Sequence, residues 1–270
     1  MYNVSKNYTL GSKLKGHVSR VTHIDFDQSG EIMQSNSSSY DVLYHTLNNG
    51  KQVPGGASAF KDTEWATWSL IFGWPVQGIW PPCASGDDIN SLDCDKERKV
   101  IATGDDFGKV KLFRYPCPVE KASFNPYSGH SSHVTNVKFS NSNNYLISAG
   151  GNDKALFQWR YNYDKEAEAE SEKIDQQDVE EHEEETDTGT NFRDEELQGT
   201  EFGASKPFLG EVKASTPKGY IAGKDAGDPP KENLKLKYVH GYRAFDTRDN
   251  VKYTYNGDIL FHAAALDIVL

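Results

Sequence analysis

Three side chains between Ser128 and Tyr161 carry the atoms of a nucleophilic relay: the Ser148 hydroxyl, the His130 imidazole and the Asp153 carboxylate. In a hydrolase such a trio passes the hydroxyl proton to the ring while the acid holds the ring in place. That chemistry needs an exposed turn for the nucleophile and a nearby oxyanion site. Ser148 lies instead inside the apolar run Tyr145–Ala149, and Trp159 offers an indole N–H further along. The set His130, Ser148, Asp153 and Trp159 therefore reads as a structural network. A buried carboxylate needs donors, an imidazole can bridge it to a hydroxyl, and the indole N–H fills the remaining acceptor site.

A second candidate is the acidic pair Asp105 and Asp106, whose types suit a divalent cation or acid–base work. No third ligand cluster lies near them in sequence, and Gly104-Asp-Asp-Phe-Gly108 has the composition of a tight turn. A turn role is the expectation. Cys83, Cys94 and Cys117 are odd in number and include no C-x-x-C pair, which argues against a disulfide framework or a zinc site and for a reducing compartment. No cofactor or metal is expected.

The elements that position these residues are short strands. Val134–Phe139 alternates with a period of two, Ser140–Asn144 is a turn, Tyr145–Ala149 is a second strand, Gly150–Asp153 a tight turn and Leu156–Trp159 a third strand. With Gly129-His130 ahead and Asp and Trp behind, the spacing is that of a WD40-type β-propeller blade, and Ser128–Tyr161 is expected to form a complete four-stranded one. The fold class is all-β, an incomplete ring of WD40-type propeller blades.

Two other units echo this one. Gly16-His17 opens the first: Val21–Phe26 mirrors Val134–Phe139, Glu31–Ser35 mirrors Tyr145–Ser148, Asp41–His45 gives a third strand, and the following KQVPGG closes its edge. Direct alignment puts Tyr40 and Thr46 at the positions of Asp153 and Trp159, so packing and cross-strand pairs are expected to hold this blade. Tyr8–Leu14 reads as the outer strand of a preceding blade, and Trp65–Trp80 as a long aromatic outer strand plus connector, because Gly73, Trp74 and Pro75 break any helix. The middle unit runs from Asp88 to Pro116, after a loop at Pro81–Gly86, and has Phe113 where Trp159 stands. Three blades are too few to close a propeller, so sheet faces should stay bare.

The formal charge of −11 is unevenly spread. Asp164–Glu201 holds 17 acidic residues against Lys165, Lys173 and Arg193, a local −14 that leaves the rest of the chain at +3. That segment, with His182 as a solvated residue among glutamates, is too polar to offset its ordering entropy, so disorder is expected. Residues 202–231 read as a Gly/Pro-punctuated linker with Ser215 or Thr216 as exposed phosphoacceptors. Strands return at Leu234–Val239 and Val251–Tyr255, and Asn256-Gly257 signals a hairpin. Without an apolar run of about 18 residues or a signal-like start, a soluble cytoplasmic protein is expected. Without a Lys/Arg cluster, so is the absence of nucleic-acid binding.

The runs WATWSLIFGWPVQGIWPP, DINSLD…TGDDFGKVKLFRYPCP and GHSSHVTNVKFS…FQWRY together resemble the C-terminal propeller blades of the echinoderm microtubule-associated protein-like (EMAP-like) family. LKLKYVHGYRAFDTRDNVKY resembles that family's HELP motif, and its place after a blade is similar to the tandem, multi-propeller members. The resemblance, which leaves out the acidic segment, implies propeller blades at 1–161 and a HELP-like segment at 234–270 opening a following propeller domain; composition makes 162–233 between them an acidic disordered linker. It also implies a non-enzymatic microtubule-binding scaffold of the cytoplasmic cytoskeleton, with tubulin and other scaffold proteins as partners. The alternative is a general WD40 adaptor without direct microtubule binding. The acidic segment should repel an acidic microtubule surface.

Overall fold

The computed structural model describes residues 1–80, 88–162, 212–243 and 251–269. The loop expected at Pro81–Gly86, Cys83, the acidic stretch and His182 lie outside the described residues. A short hairpin of β1 (Tyr2–Asn3) and β2 (Thr9–Leu10) precedes the first blade, so the outer strand expected at Tyr8–Leu14 is reduced to two residues paired with the N-terminus. Three antiparallel sheets follow. The first is β3 (Val21–Phe26), β4 (Ile32–Ser37) and β5 (Val42–Thr46). The second is β6 (Ile89–Asp95), β7 (Val100–Asp105), β8 (Val110–Arg114) and β9 (Asn125–Tyr127). The third is β10 (Val134–Phe139), β11 (Tyr145–Gly150), β12 (Leu156–Tyr161) and β13 (Leu234–His240). A last meander joins β14 (Val251–Tyr253), β15 (Ile259–Ala263) and β16 (Leu266–Val269), with the hairpin turn at Asn256-Gly257.

The inner strands share one device. In β3, β6 and β10 the register slips after the first residue, at Val21/His23, Ile89/Ser91 and Val134/Asn136. A bulge of this kind places two residues opposite one, so side chains three apart come to the same face. Val134, Val137 and Phe139 thereby face one way and are buried, while Thr135, Asn136 and Lys138 point out. β7 has no exposed face. Val100 and Ala102 join the core shared with the third blade, Ile101 joins the core on the first-blade side, and a strand covered on both faces reads as an unbroken apolar run. The register-equivalent residues of β3, Val21, Ile24 and Phe26, are 43%, 47% and 46% exposed. The three blades form no closed ring among the described residues, and the outward face of the first is bare.

Three expectations are corrected. Ser128–Tyr161 supplies three strands of its blade, and the fourth, β13, arrives from beyond the acidic stretch to pair antiparallel with β12 from Leu156↔His240 to Tyr161↔Leu234. A bulge at Gln158/Trp159 lets Leu236 and Val239 both pack on the core beside buried Leu234. The sequence run ended where the local strand signals ended, although the sheet did not.

Trp65–Trp80 is a core plug, meeting the end of the first inner strand through an isolated Asp27↔Trp65 bridge and Ala66 N donating to Phe26 O before turning into a 3-10 helix at Trp74–Ile79. Trp65, Trp68, Leu70, Ile71, Phe72, Val76 and Ile79 are all buried, so there is no alternation to sustain a half-exposed strand. The buried Asp25 carboxylate fastens the plug, accepting from Ser69 N (2.7 Å), Leu70 N (3.0 Å) and Thr67 Oγ1 (2.6 Å). The open edge of β5 is met instead by the 51–53 segment through the His45↔Gln52 bridge and Val53 N donating to Tyr44 O.

Residues 212–233 form an ordered strap. Val212 is buried in the first core, Lys218 N donates to Asp62 Oδ1, Tyr220 packs on Trp74 at 4.8 Å, and Asp225 pairs with Arg114. Ser123 N donates to Gly227 O, and Asn125 Nδ2 donates to Pro230 O and Glu232 O, leading the chain into β13. Ser215 is consequently buried rather than exposed, its hydroxyl donating to Val212 O, and half-buried Thr216 donates to the same carbonyl.

Candidate functional site

His130 enters the third blade immediately after Gly129, whose φ of 148° and lack of a Cβ are both required: a Cβ there would lie 2.4 Å from the Phe157 ring. The His130 ring stacks on Phe157 at 4.0 Å and is tilted by only 16°. Its Nδ1 lies 2.9 Å from Asp153 Oδ2 and its Nε2 2.8 Å from Ser148 Oγ. Trp159 Nε1 donates to Ser148 Oγ at 2.9 Å. The structure thus brings all four residues together, and each is buried.

The order of protons follows from the partners. Burial lowers the His130 pKa, with Asp153 opposing, which favours the neutral ring. Ser148 accepts from the indole, so its own proton goes to Nε2 and Nδ1–H donates to Asp153. Asp153 takes two further bonds, from Ser131 N and Ala155 N, both 3.2 Å. Every member is satisfied, and Ser148 is 0% exposed.

The first blade carries a second clasp that direct alignment missed. His17 Nδ1 lies 2.9 Å from Asp41 Oδ2 and Nε2 2.8 Å from Ser35 Oγ. Strand register makes Ser35 the counterpart of Ser148 and His45 that of Trp159. Tyr40 and Thr46 are therefore not the equivalents. The turn from β4 to β5 is one residue shorter than that from β11 to β12, shifting every later position by one. His45 Nε2 bonds Lys15 O at 2.9 Å, outside the clasp.

The middle blade has no such clasp among the described residues. Asp105 is a buried turn residue, accepting from Phe107 N at 3.0 Å and Lys109 N at 2.8 Å, with Lys111 Nζ 2.7 Å away. Asp106 accepts from Asn90 Nδ2 at 2.6 Å and meets His133 Nδ1 at 3.0 Å. The two carboxylates face separate partners, and no group of three or more His, Cys, Asp or Glu gathers for a metal among the described residues. Cys94 and Cys117 are free, and burial pushes the Cys117 thiol up to about 12.

Asp93, missed in the sequence, ties the second blade to the third. It accepts from Phe139 N at 2.8 Å and pairs with Lys138, while Ser91 Oγ accepts from Val137 N at 3.2 Å. Burial raises the Asp93 pKa despite these partners. The register places Asp25 at the same position of β3, where it grips the plug, so one repeated carboxylate serves two neighbours.

Residues 1–161 match the model of the echinoderm microtubule-associated protein second beta-propeller, and residues 229–268 match the HELP motif. The chain belongs to the echinoderm microtubule-associated protein family. It is 45% identical over 163 residues to echinoderm microtubule-associated protein-like 4 of Xenopus tropicalis, covering 59% of this chain and 18% of that one. The human protein of the same name is 43% identical, with 59% and 17% covered. Echinoderm microtubule-associated protein-like 1 of Rattus norvegicus is 45% identical, with 59% and 20% covered. The chain spans about a fifth of the length of these EMAP-like relatives. In this EMAP-like chain the strand that completes the third blade, β13, falls within the HELP match.

Proposed function

We propose that this EMAP-like chain is a non-enzymatic WD-repeat scaffold of the cytoplasmic microtubule cytoskeleton whose blades contact tubulin. The observation that carries the reading is the match of residues 1–161 to a propeller of microtubule-associated proteins. The charge outside Asp164–Glu201, +3, is compatible with an acidic partner. A scaffold role is also favoured by the clasps: the Ser148 and Ser35 hydroxyls are committed to histidines inside blades, where they fasten strands rather than meet substrate. No helix among the described residues is long and apolar enough to cross a membrane.

Co-sedimentation with microtubules over a salt series tests this. The expected result is pelleting at low salt that fades as salt rises, and stronger pelleting after deletion of residues 164–201. No pelleting at low salt would remove direct tubulin contact and leave the adaptor reading.

A further inference from the structure

The strands of the third blade carry one sign of charge. β10–β13 hold four cations, Lys138, Arg160, Lys235 and Lys237, and no carboxylate. Register sets Tyr145 beside Arg160 and Lys235, and Ile147 beside Gln158 and Tyr238, on the face turned away from the second blade. The matching rows of the second blade begin with Val100 beside Arg114 and Ala102 beside Leu112. There Val100, Ala102 and Leu112 are buried in the core shared with the third blade. On the third blade Tyr145, Ile147 and Gln158 are only half-buried, and Arg160 and Tyr238 are exposed. Arg160 stands directly opposite Lys235, and like charges so placed destabilise a sheet.

Arg114, the register counterpart of Arg160, shows how such a position is used. It pairs with the Asp225 carboxylate of the strap, which runs on past the second blade with Ser123 N donating to Gly227 O and Asn125 Nδ2 to Pro230 O. Arg160 has no carboxylate partner among the described residues, whereas Lys138 is already paired with Asp93. An apolar cover would take the face's cations out of water without pairing them. An extended acidic segment would pair them. Its same-side carboxylates stand about 6.8 Å apart, enough to reach cations on two strands about 4.8 Å apart.

We propose that this face of the third blade binds an extended acidic segment of a partner protein, with its carboxylates on Arg160 and Lys237; the inference rests on the acidic-partner reading above and names its surface. The test is fluorescence anisotropy of labelled N-acetyl-hexaglutamate amide titrated with the full chain at low salt, beside hexaglutamine and hexathymidylate, with microtubule co-sedimentation in parallel. Hexaglutamate saturates and weakens as salt rises, and hexaglutamine does not bind. Arg160→Glu weakens hexaglutamate about tenfold and leaves the melting temperature unchanged or higher, because it sets an acid opposite Lys235. Lys237→Glu, exposed on β13, acts alike, while Lys51→Glu, an equal change of charge near the first blade, alters affinity less than about twofold. Absence of saturation, unchanged affinity in both face variants, or an equal loss in Lys51→Glu overturns the proposal. Tighter binding of hexathymidylate overturns the peptide assignment, and saturation only after removal of residues 164–201 overturns the partner by assigning the face to the chain's own acidic stretch. Pelleting of the wild type matched by Arg160→Glu overturns this face as the contact and leaves the function standing. Absence of pelleting beside Arg160-dependent hexaglutamate binding removes tubulin and supports the face.

Discussion

Replacing Asp153 with alanine removes the acceptor for three donors at once: His130 Nδ1, Ser131 N and Ala155 N. The His130 and Asp153 side chains are 1% and 0% exposed, so water cannot replace the lost oxygen atoms. A buried group left without a partner costs about 1–3 kcal/mol. The weaker 3.2 Å bonds to Ser131 and Ala155 regain part of their loss by small backbone shifts, which places the expected destabilisation at about 3 kcal/mol, near the lower end for breaking a buried pair. In a domain of this size that corresponds to a fall in melting temperature of about 6–12 °C. Asp153→Asn keeps one carbonyl acceptor and should recover part of the loss. Circular-dichroism melts at neutral pH read both variants. An alanine variant melting within about 2 °C of wild type would refute the buried-clasp reasoning, as would an asparagine variant no better than alanine.

Gly150→Ala should imitate that loss, since a Cβ there would sit 1.7 Å from Asp153 Oδ1 and push the carboxylate out of the clasp; a melt matches or contradicts it. Stability should fall as pH drops below 6.5. The folded His130 pKa is lowered by burial, so below 6.5 the unfolded chain takes up a proton that the folded chain refuses, and the contribution is fully present only above that value. A melting temperature flat from about pH 7.5 to about pH 5.5 would contradict this. Cys94 and Cys117 should resist iodoacetamide in the native chain and react after denaturation, because burial raises both thiol pKa values; rapid native labelling located on either by mass spectrometry would contradict it. Deleting residues 234–270 should increase amide exchange along β12, whose outer neighbour is then missing; unchanged protection of Leu156–Tyr161 would contradict the strand pairing.

The parts legible in the sequence were those whose signal is local. Val134–Phe139 alternates, Gly104–Gly108 carries turn residues, and Gly129-His130 announces a blade, each within a few positions. Asp41 escaped because it does not stand in the column of Asp153. Ser37 N donates to Asp41 O where Gly150 N donates to Ala155 O, so register aligns Asp41 with Ala155, and its carboxylate reaches His17 from a different position of the turn. Trp65–Trp80 carried a strong apolar signal with no period, which fixes burial without fixing secondary structure. Asp93 looked like any strand acid, since its partner Phe139 N lies in another blade. β13 was legible as a strand, yet its neighbour was not, because pairing across a long excursion leaves no mark on either segment.

The pairing of Tyr161 with Leu234 also sets an order of events on the ribosome. Roughly seventy residues must be translated after β12 emerges before its outer neighbour exists, an interval of about 4–15 s at ordinary elongation rates. Throughout that interval β12 presents an unpaired row of peptide groups, the kind of edge that recruits stray strands. Nascent chains of this protein are therefore most open to misassembly, and to chaperone capture, during synthesis of the acidic stretch.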